Sequence, residues 1–249
     1  MQKVILFSVI SQLPLFQAQW LGQQSLIKRD YALMEYLVNE AVEDYAFLNT
    51  SEEPPLLTEL ITATNETMGW PQKLSGRLVG RTLKMLSAIH QPRRALEIGM
   101  FTGYSALSIA EGMPDDGKLI CCETNPRAIE FAKTFFQRSE HGHKIDVVFG
   151  KALDTLDRLS HTLDGPLDFT FIDADKRSYL NYYLKVKELT RPGGLIVLDN
   201  VLWSGKVLQP ESEIDDTLVE TNRLIAADPD MENVFLTVRD GLNVVRKLR

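Results

Sequence analysis

Residues 97–105 read Glu97-Ile98-Gly99-Met100-Phe101-Thr102-Gly103-Tyr104-Ser105 and extend the apolar run Ala95–Ile98. A strand that ends in glycine and opens into a helix lets a ligand approach the backbone where the helix begins. The spacing is G-x-x-x-G rather than the G-x-G-x-x-G of dinucleotide binders, and alone it reads equally well as a tight turn. Working outward, further strand-like runs fall at Leu119–Cys122, Ile145–Phe149, Leu167–Ile172 and Leu195–Leu198. Helical stretches lie between them at Tyr104–Gly112, Pro126–Arg138, Ala152–Leu159 and Tyr179–Leu189. This alternation predicts βαβ units and a parallel sheet covered on both faces. A last helix, Asp216–Ala227, precedes Val234–Val238 and Leu242–Arg246, and the turn Arg239-Asp240-Gly241 joins these two runs as a β-hairpin. The expected fold is α/β: a doubly wound, mostly parallel seven-stranded sheet with an antiparallel last strand.

Upstream of Pro92 the pattern is helical. Apolar residues recur at helical spacing from Tyr31 to Leu48, and helices are expected at Leu56–Met68 and Ser75–Ile89, with Thr50 or Ser51 as the N-cap of the first of these two. These helices form an N-terminal cap on the α/β domain, placed at residues 33–249. Residues 1–32 read as a weakly ordered extension or a non-native start, with Met34 as an alternative first residue. Lys3 and the apolar run from Val4 towards Leu15 resemble a signal peptide in outline, but Gln12 and Pro14 interrupt it and no clean small-x-small site follows.

Composition narrows the function. Hydrophobic residues make up 44% of the 249-residue chain and charged residues 24%, so a sizeable core forms without staples. The balance of 27 Lys+Arg against 34 Asp+Glu, net −7, disfavours nucleic acid as the main partner. No run of about 18 apolar residues spans a membrane. Cys121 and Cys122 are adjacent and point to opposite faces of a strand, so they fill space rather than bridge. Two cysteines without a disulfide framework fit a reducing, cytoplasmic setting.

The chemistry concentrates at strand ends. The second strand ends at Glu123, 24 residues after Gly99, where an acidic side chain serves as bidentate acceptor for ribose hydroxyls. The fourth strand ends in Ile172-Asp173-Ala174-Asp175-Lys176 and the fifth in Leu198-Asp199-Asn200. Ligands of doubly wound folds sit outside the carboxyl ends of the central strands, so Asp173, Asp199 and Asn200 would converge there. Three oxygen donors without His or Cys suit a hard divalent cation, Mg²⁺ first. Any one of them alone would read as a turn or cap residue. The four histidines form no Ser/His/Asp or Cys/His arrangement.

At these residues the chain resembles the cation-dependent O-methyltransferases, the caffeoyl-CoA and catechol O-methyltransferase group. The matching stretches are residues 97–105 (EIGMFTGYS), Gly150-Lys151-Ala152, residues 171–176 (FIDADK), residues 199–206 (DNVLWSGK) and Arg239-Asp240-Gly241-Leu242, with Leu74-Ser75-Gly76-Arg77 closer to the bacterial branch. The resemblance covers roughly residues 34–249 and implies a Rossmann-like methyltransferase fold. It implies that Glu97, Gly99, Met100, Ser105, Glu123, Ala152 and Asp175 contact S-adenosyl-L-methionine (SAM), with Ser75 closing over its methionine end. Asp173, Asp199 and Asn200 would hold the metal, and Lys176 would be the catalytic base beside Asp173. Arg81 departs from the family, where many members have Gln, and Ser204 stands where plant enzymes carry a substrate-binding Asn. The expected function is metal- and SAM-dependent methylation of a small phenolic substrate with vicinal hydroxyls, by a cytoplasmic homodimer. Two alternatives stay open: O-methylation of a hydroxylated tRNA base, which the acidic net charge counts against and a basic rim near Lys176, Arg177 and Lys206 would count for, and a non-catalytic binding module.

Overall fold

The computed structural model describes residues 38–68 and 73–249; the expected extension at 1–32 and the start of the first helix at 31–37 lie outside the described residues. Among the described residues three helices come first: α1 (Glu40–Leu48), α2 (Pro55–Met68) and α3 (Gly76–His90). The Asn39 side chain caps α1 by accepting the Ala41 N–H at 3.0 Å. The expected cap of α2 is not found: Thr50 turns its hydroxyl back to the Ala46 carbonyl at 2.7 Å, closing α1, and α2 starts after Pro54.

The α/β part runs β1 (Arg94–Ile98), α4 (Tyr104–Gly112), β2 (Lys118–Glu123), α5 (Pro126–Phe136), β3 (Ile145–Phe149), α6 (Ala152–Thr162), β4 (Leu167–Ile172), α7 (Tyr179–Leu189), β5 (Thr190–Asp199), α8 (Glu213–Ala227), β6 (Met231–Leu236) and β7 (Leu242–Lys247). The sheet order is β3-β2-β1-β4-β5-β7-β6. β1 to β5 pair in parallel, and β7 runs antiparallel to both β5 and β6. This is the expected doubly wound sheet with an antiparallel last strand.

Side chains alternate across the sheet, and each face builds its own core. Ala95, Cys121, Phe169, Phe171 and Val197 face the layer of α2, α3, α4 and α5. Leu96, Ile98, Cys122, Ile172, Ile196 and Leu198 face α6, α7 and α8. The two cysteines are thus free, buried and on opposite faces, as expected. All six residues of β4 are buried, the polar Asp168 and Thr170 included; Asp168 accepts the N–H groups of Arg93 and Arg94 at 2.9 and 2.8 Å.

Among the strands, β5 and β6 depart most from the expected bounds. β5 begins at Thr190 rather than Leu195, because its pairing with β4 continues to Leu167–Thr190 across a register shift. β6 starts three residues earlier than expected and ends at Leu236 rather than Val238, so residues 237–241 form the hairpin loop. Arg239 (φ 51°) and Gly241 (φ 87°) in that loop take left-handed backbone, and the Gly241 N–H bonds the Val238 carbonyl at 2.9 Å. Strand order reverses between β1 and β4, which puts the crevice of a doubly wound sheet at their carboxyl ends.

Candidate active site

The β1 end is shaped by Gly99. Its φ is +94°, and a Cβ there would collide with the Asp173 carbonyl oxygen. Only glycine lets the ends of β1 and β4 approach this closely, and the Asp173 N–H donates to the Ile98 carbonyl at 2.9 Å. Phe101 follows with φ 49°, a strained value for a residue with a side chain. Glu123 offsets the strain: its Oε2 accepts the Phe101 N–H at 2.7 Å, and its Oε1 accepts the N–H groups of Thr124 and Asn125 at 2.8 Å each. A carboxylate offers about four acceptor positions, so Glu123 pins the turn and keeps capacity for a hydroxyl. The Gly150 N–H donates to the Glu123 carbonyl at 3.0 Å, which brings buried Ala152, the first residue of α6, to the same edge.

Glu97 lies one row deeper and is fully buried. Burial pushes its carboxyl up to about 7, against the opposing pull of the Ser105 hydroxyl and the Cys121 thiol. Its Oε1 has no hydrogen-bond partner. Buried acceptors without a donor are costly and rare in native proteins, and they mark a place where a ligand group fits. Met100 (1% exposed) and Ser105 (5%) close the same corner.

At the ends of β4 and β5 the structure brings Asp173, Lys176, Asp199 and Asn200 together. Lys176 Nζ donates to Asp173 Oδ1 at 2.9 Å and makes a short contact with the Tyr179 hydroxyl. It also lies 4.3 Å from the Tyr179 ring centroid and 6.0 Å from that of Trp203. Tyr179 is fully buried and directs its hydroxyl to the carbonyls of Asp199 (2.9 Å) and Ile172 (3.2 Å). Burial first, then the charges of Asp173 and Asp199, push the Tyr179 phenol well above its ordinary value, so it stays protonated. Asp199 is 3% exposed, and burial together with the Asp173 charge pushes its carboxyl up. Asp199 Oδ1 accepts the N–H of Asn200, a residue in left-handed backbone (φ 55°).

Among the described residues no three His, Cys, Asp or Glu side chains form a ready-made ion site. The set here is two carboxylates and one amide. Two adjacent acidic groups, one deeply buried, make a local excess of negative charge that Lys176, and more weakly Arg239, counters. An all-oxygen donor set in that field fits a hard cation.

Neighbouring elements hold these groups. Asp175 accepts the Ser178 N–H on Oδ1 (3.1 Å) and the Tyr182 hydroxyl on Oδ2 (2.6 Å). Ser75 precedes α3 and is buried, and its hydroxyl makes no helix-capping bond. Arg239 Nη1 instead holds this segment through the carbonyls of Leu74 (3.3 Å) and, at shorter range, Ser75. Asp240 accepts the Ser204 N–H at 2.6 Å and a bond from the Asn200 side chain, so the hairpin loop clamps residues 200–204. Tyr179, Tyr182 and Asp240 escape a reading of the sequence as site residues. The available signal is their place: the tyrosines stand three and six residues after Lys176, and Asp240 stands in the loop after β6.

Comparison with known proteins identifies the family. A family model described as O-methyltransferase matches residues 48–248. The chain belongs to the O-methyltransferase family. Membership makes it a SAM-dependent O-methyltransferase, of the caffeoyl-CoA O-methyltransferase type. The caffeoyl-CoA O-methyltransferase of Eucalyptus gunnii is 36% identical over 242 residues, covering 93% of both chains. That of Petroselinum crispum is 34% identical over 237 residues, covering 91% of this chain and 95% of its own. Among solved structures, an O-methyltransferase from Streptomyces achromogenes in complex with SAM superposes with a TM-score of 0.78 at 27% identity, covering 87% of this chain and 100% of that one. One from Bacillus cereus in complex with SAH gives 0.76 at 28% identity, covering 83% and 97%. This O-methyltransferase has, among its described residues, no helix long and apolar enough to cross a membrane.

Proposed function

We propose that this O-methyltransferase transfers the methyl group of SAM to one hydroxyl of a small vicinal-diol phenol, with a divalent cation, Mg²⁺ first, at Asp173, Asp199 and Asn200. The observation that carries the reading is the Lys176–Asp173 pair beside buried Asp199 at adjacent strand ends. A phenol has a pKa near 10 and is a poor nucleophile at neutral pH. The cation, when bound, supplies charge that favours the phenolate of a chelating diol. Lys176, as the neutral amine, is placed to take the phenol proton at Nζ, with the Tyr179 hydroxyl and Asp173 Oδ1 orienting that nitrogen. The Trp203 ring lies beside the same nitrogen, its centroid 6.0 Å away. Glu97 Oε1, the unpartnered acceptor, suits the ammonium of the SAM amino acid end; a sulfonium has no proton to donate. Glu123 suits the ribose hydroxyls, with Gly99, Met100, Ser105, Ala152, Asp175 and Ser75 around the remainder.

The tRNA reading loses part of its support, because Lys176 is buried and ion-paired and so contributes nothing to an exposed basic rim. The deciding experiment offers labelled SAM with catechols, caffeoyl-CoA and tRNA as acceptors. Label on a vicinal-diol phenol is the expected outcome. Label on tRNA alone, lost as salt rises, would replace this substrate class.

Glu123→Ala is expected to weaken SAM binding about tenfold or more, the share of a charge-assisted acceptor worth about 1.5–3 kcal/mol. It also releases three backbone N–H groups, so its Tm should fall as well. Glu123→Gln should lose less of both. Unchanged affinity of the alanine variant by calorimetry removes Glu123 from the cofactor site. A chain starting at Met34 is expected to fold and keep activity, since the helical periodicity begins near there and the matching family model begins only at residue 48. An inactive or insoluble truncation would show instead that residues 1–33 are part of the working domain.

A further inference from the structure

Glu97 and Cys121 are register partners across the β1–β2 pair, so their side chains leave the same face of the sheet. The row continues through Val147 on one side and through Phe171 and Val197 on the other. Within this row the only group able to donate to the carboxylate is the Cys121 thiol. Its Sγ donates to Glu97 Oε2 at 3.2 Å, and both residues are fully buried. Burial, and then the charge of Glu97, push the thiol well above its ordinary value, so it keeps the proton it donates. Cys122 belongs to the opposite core and cannot take over this role.

We propose that Cys121 is a positioning residue for the cofactor: its thiol holds Glu97 Oε2 and so leaves Oε1 as the free acceptor for the ammonium of the SAM amino acid end. The proposal rests on the assignment of Glu97 to that ammonium, made above. Without the thiol, Oε2 would have no donor in the row, and the carboxylate would keep only the Ser105 hydroxyl of α4 as a side-chain stabiliser of its charged form. The adenosine end of the cofactor lies beyond the reach of this device, because Glu123, not Glu97, is the acidic group at the ribose side.

The test is calorimetry on the full chain with SAM, SAH and adenosine, the last read by competition. The variants are Cys121→Ala, Cys121→Val, Cys121→Ser and Glu97→Gln. Valine keeps the buried volume without a donor, and serine keeps a donor. Loss of one weak bond to a charged group predicts that the alanine and valine variants bind SAM and SAH about three- to tenfold more weakly. Adenosine, which lacks the amino acid end, should bind as to wild type, and serine should restore most of the SAM affinity. If adenosine binding falls in parallel with SAM, or serine fails to restore it, the thiol acts through packing and the proposal is overturned. If Glu97→Gln weakens SAM but Cys121→Ala does not, the proposal fails while the Glu97 assignment stands. If Glu97→Gln itself leaves SAM affinity unchanged, that assignment fails and takes the proposal with it.

Discussion

Lys176→Ala is expected to lower kcat about 10²–10⁴-fold, the usual share of a general base, while SAM affinity stays near wild type. The side chain is not a solvated surface charge: it is 8% exposed, and its ammonium lies between Asp173 Oδ1 and the Tyr179 hydroxyl. Removing it leaves two adjacent acidic groups without their local counter-charge, which favours binding of a cation rather than opposing it. The loss should therefore fall on proton transfer, with KM for the phenol changed far less than kcat. The residual rate should climb with pH, as solvent hydroxide replaces the missing amine. Lys176→Arg is the informative partner, because a guanidinium keeps the positive charge but does not give up its proton in the working pH range. Arginine should be as slow as alanine. An arginine variant with near wild-type kcat would mean that Lys176 acts as a fixed charge, and an alanine variant with full kcat would reduce it to the ion-pair partner of Asp173.

The sheet was legible because strand and helix periods differ and because βαβ connections leave few topologies. Once β1 was recognised before Gly99, the doubly wound rule placed Glu123, Asp173 and Asp199 at one edge without any knowledge of side-chain contacts. The start of β5 was hidden because Pro192-Gly193-Gly194 reads as a turn, yet the edge of pairing with β4 extends through it. The cap of α2 was misread for a local reason: a threonine hydroxyl serves either the helix before it or the one after, and Thr50 serves the one before. The contacts of Tyr179, Tyr182 and Asp240 depend on where the α7 start and the hairpin loop meet the strand ends. That is a tertiary fact with no periodic signature. The same holds for Cys121, whose reading as filler follows from sequence, whereas its bond to Glu97 follows from the register of β1 on β2.

Chelation is expected to abolish methyl transfer and added Mg²⁺ to restore it, while SAM affinity changes little, because none of the residues assigned to the cofactor is among those assigned to the cation. Asp199→Ala should resemble the chelated protein and resist rescue by Mg²⁺: Asp173 and Asn200 alone give a hard cation too few fixed oxygens. A loss of about 10³-fold or more in kcat is expected, since a bound cation supplies several kcal/mol of charge stabilisation. Alanine also opens a cavity, so Asp199→Asn is the cleaner variant. It keeps the shape, keeps an acceptor for the Asn200 N–H, and removes a carboxylate that burial and the Asp173 charge hold in an unfavourable state. In chelator, Asp199→Asn should therefore be at least as stable as wild type, because a buried charge only partly compensated by Lys176 and Arg239 destabilises the fold. Adding Mg²⁺ should raise the Tm of wild type, which binds it in the folded state, and leave that of the asparagine variant unmoved. Thermal shifts with and without Mg²⁺ thus separate a metal ligand from a structural cap, a distinction that loss of activity alone does not make. A wild-type Tm indifferent to Mg²⁺, together with methyl transfer that survives chelation, would return Asp173, Asp199 and Asn200 to the role of turn residues and leave Lys176 to activate the phenol unaided.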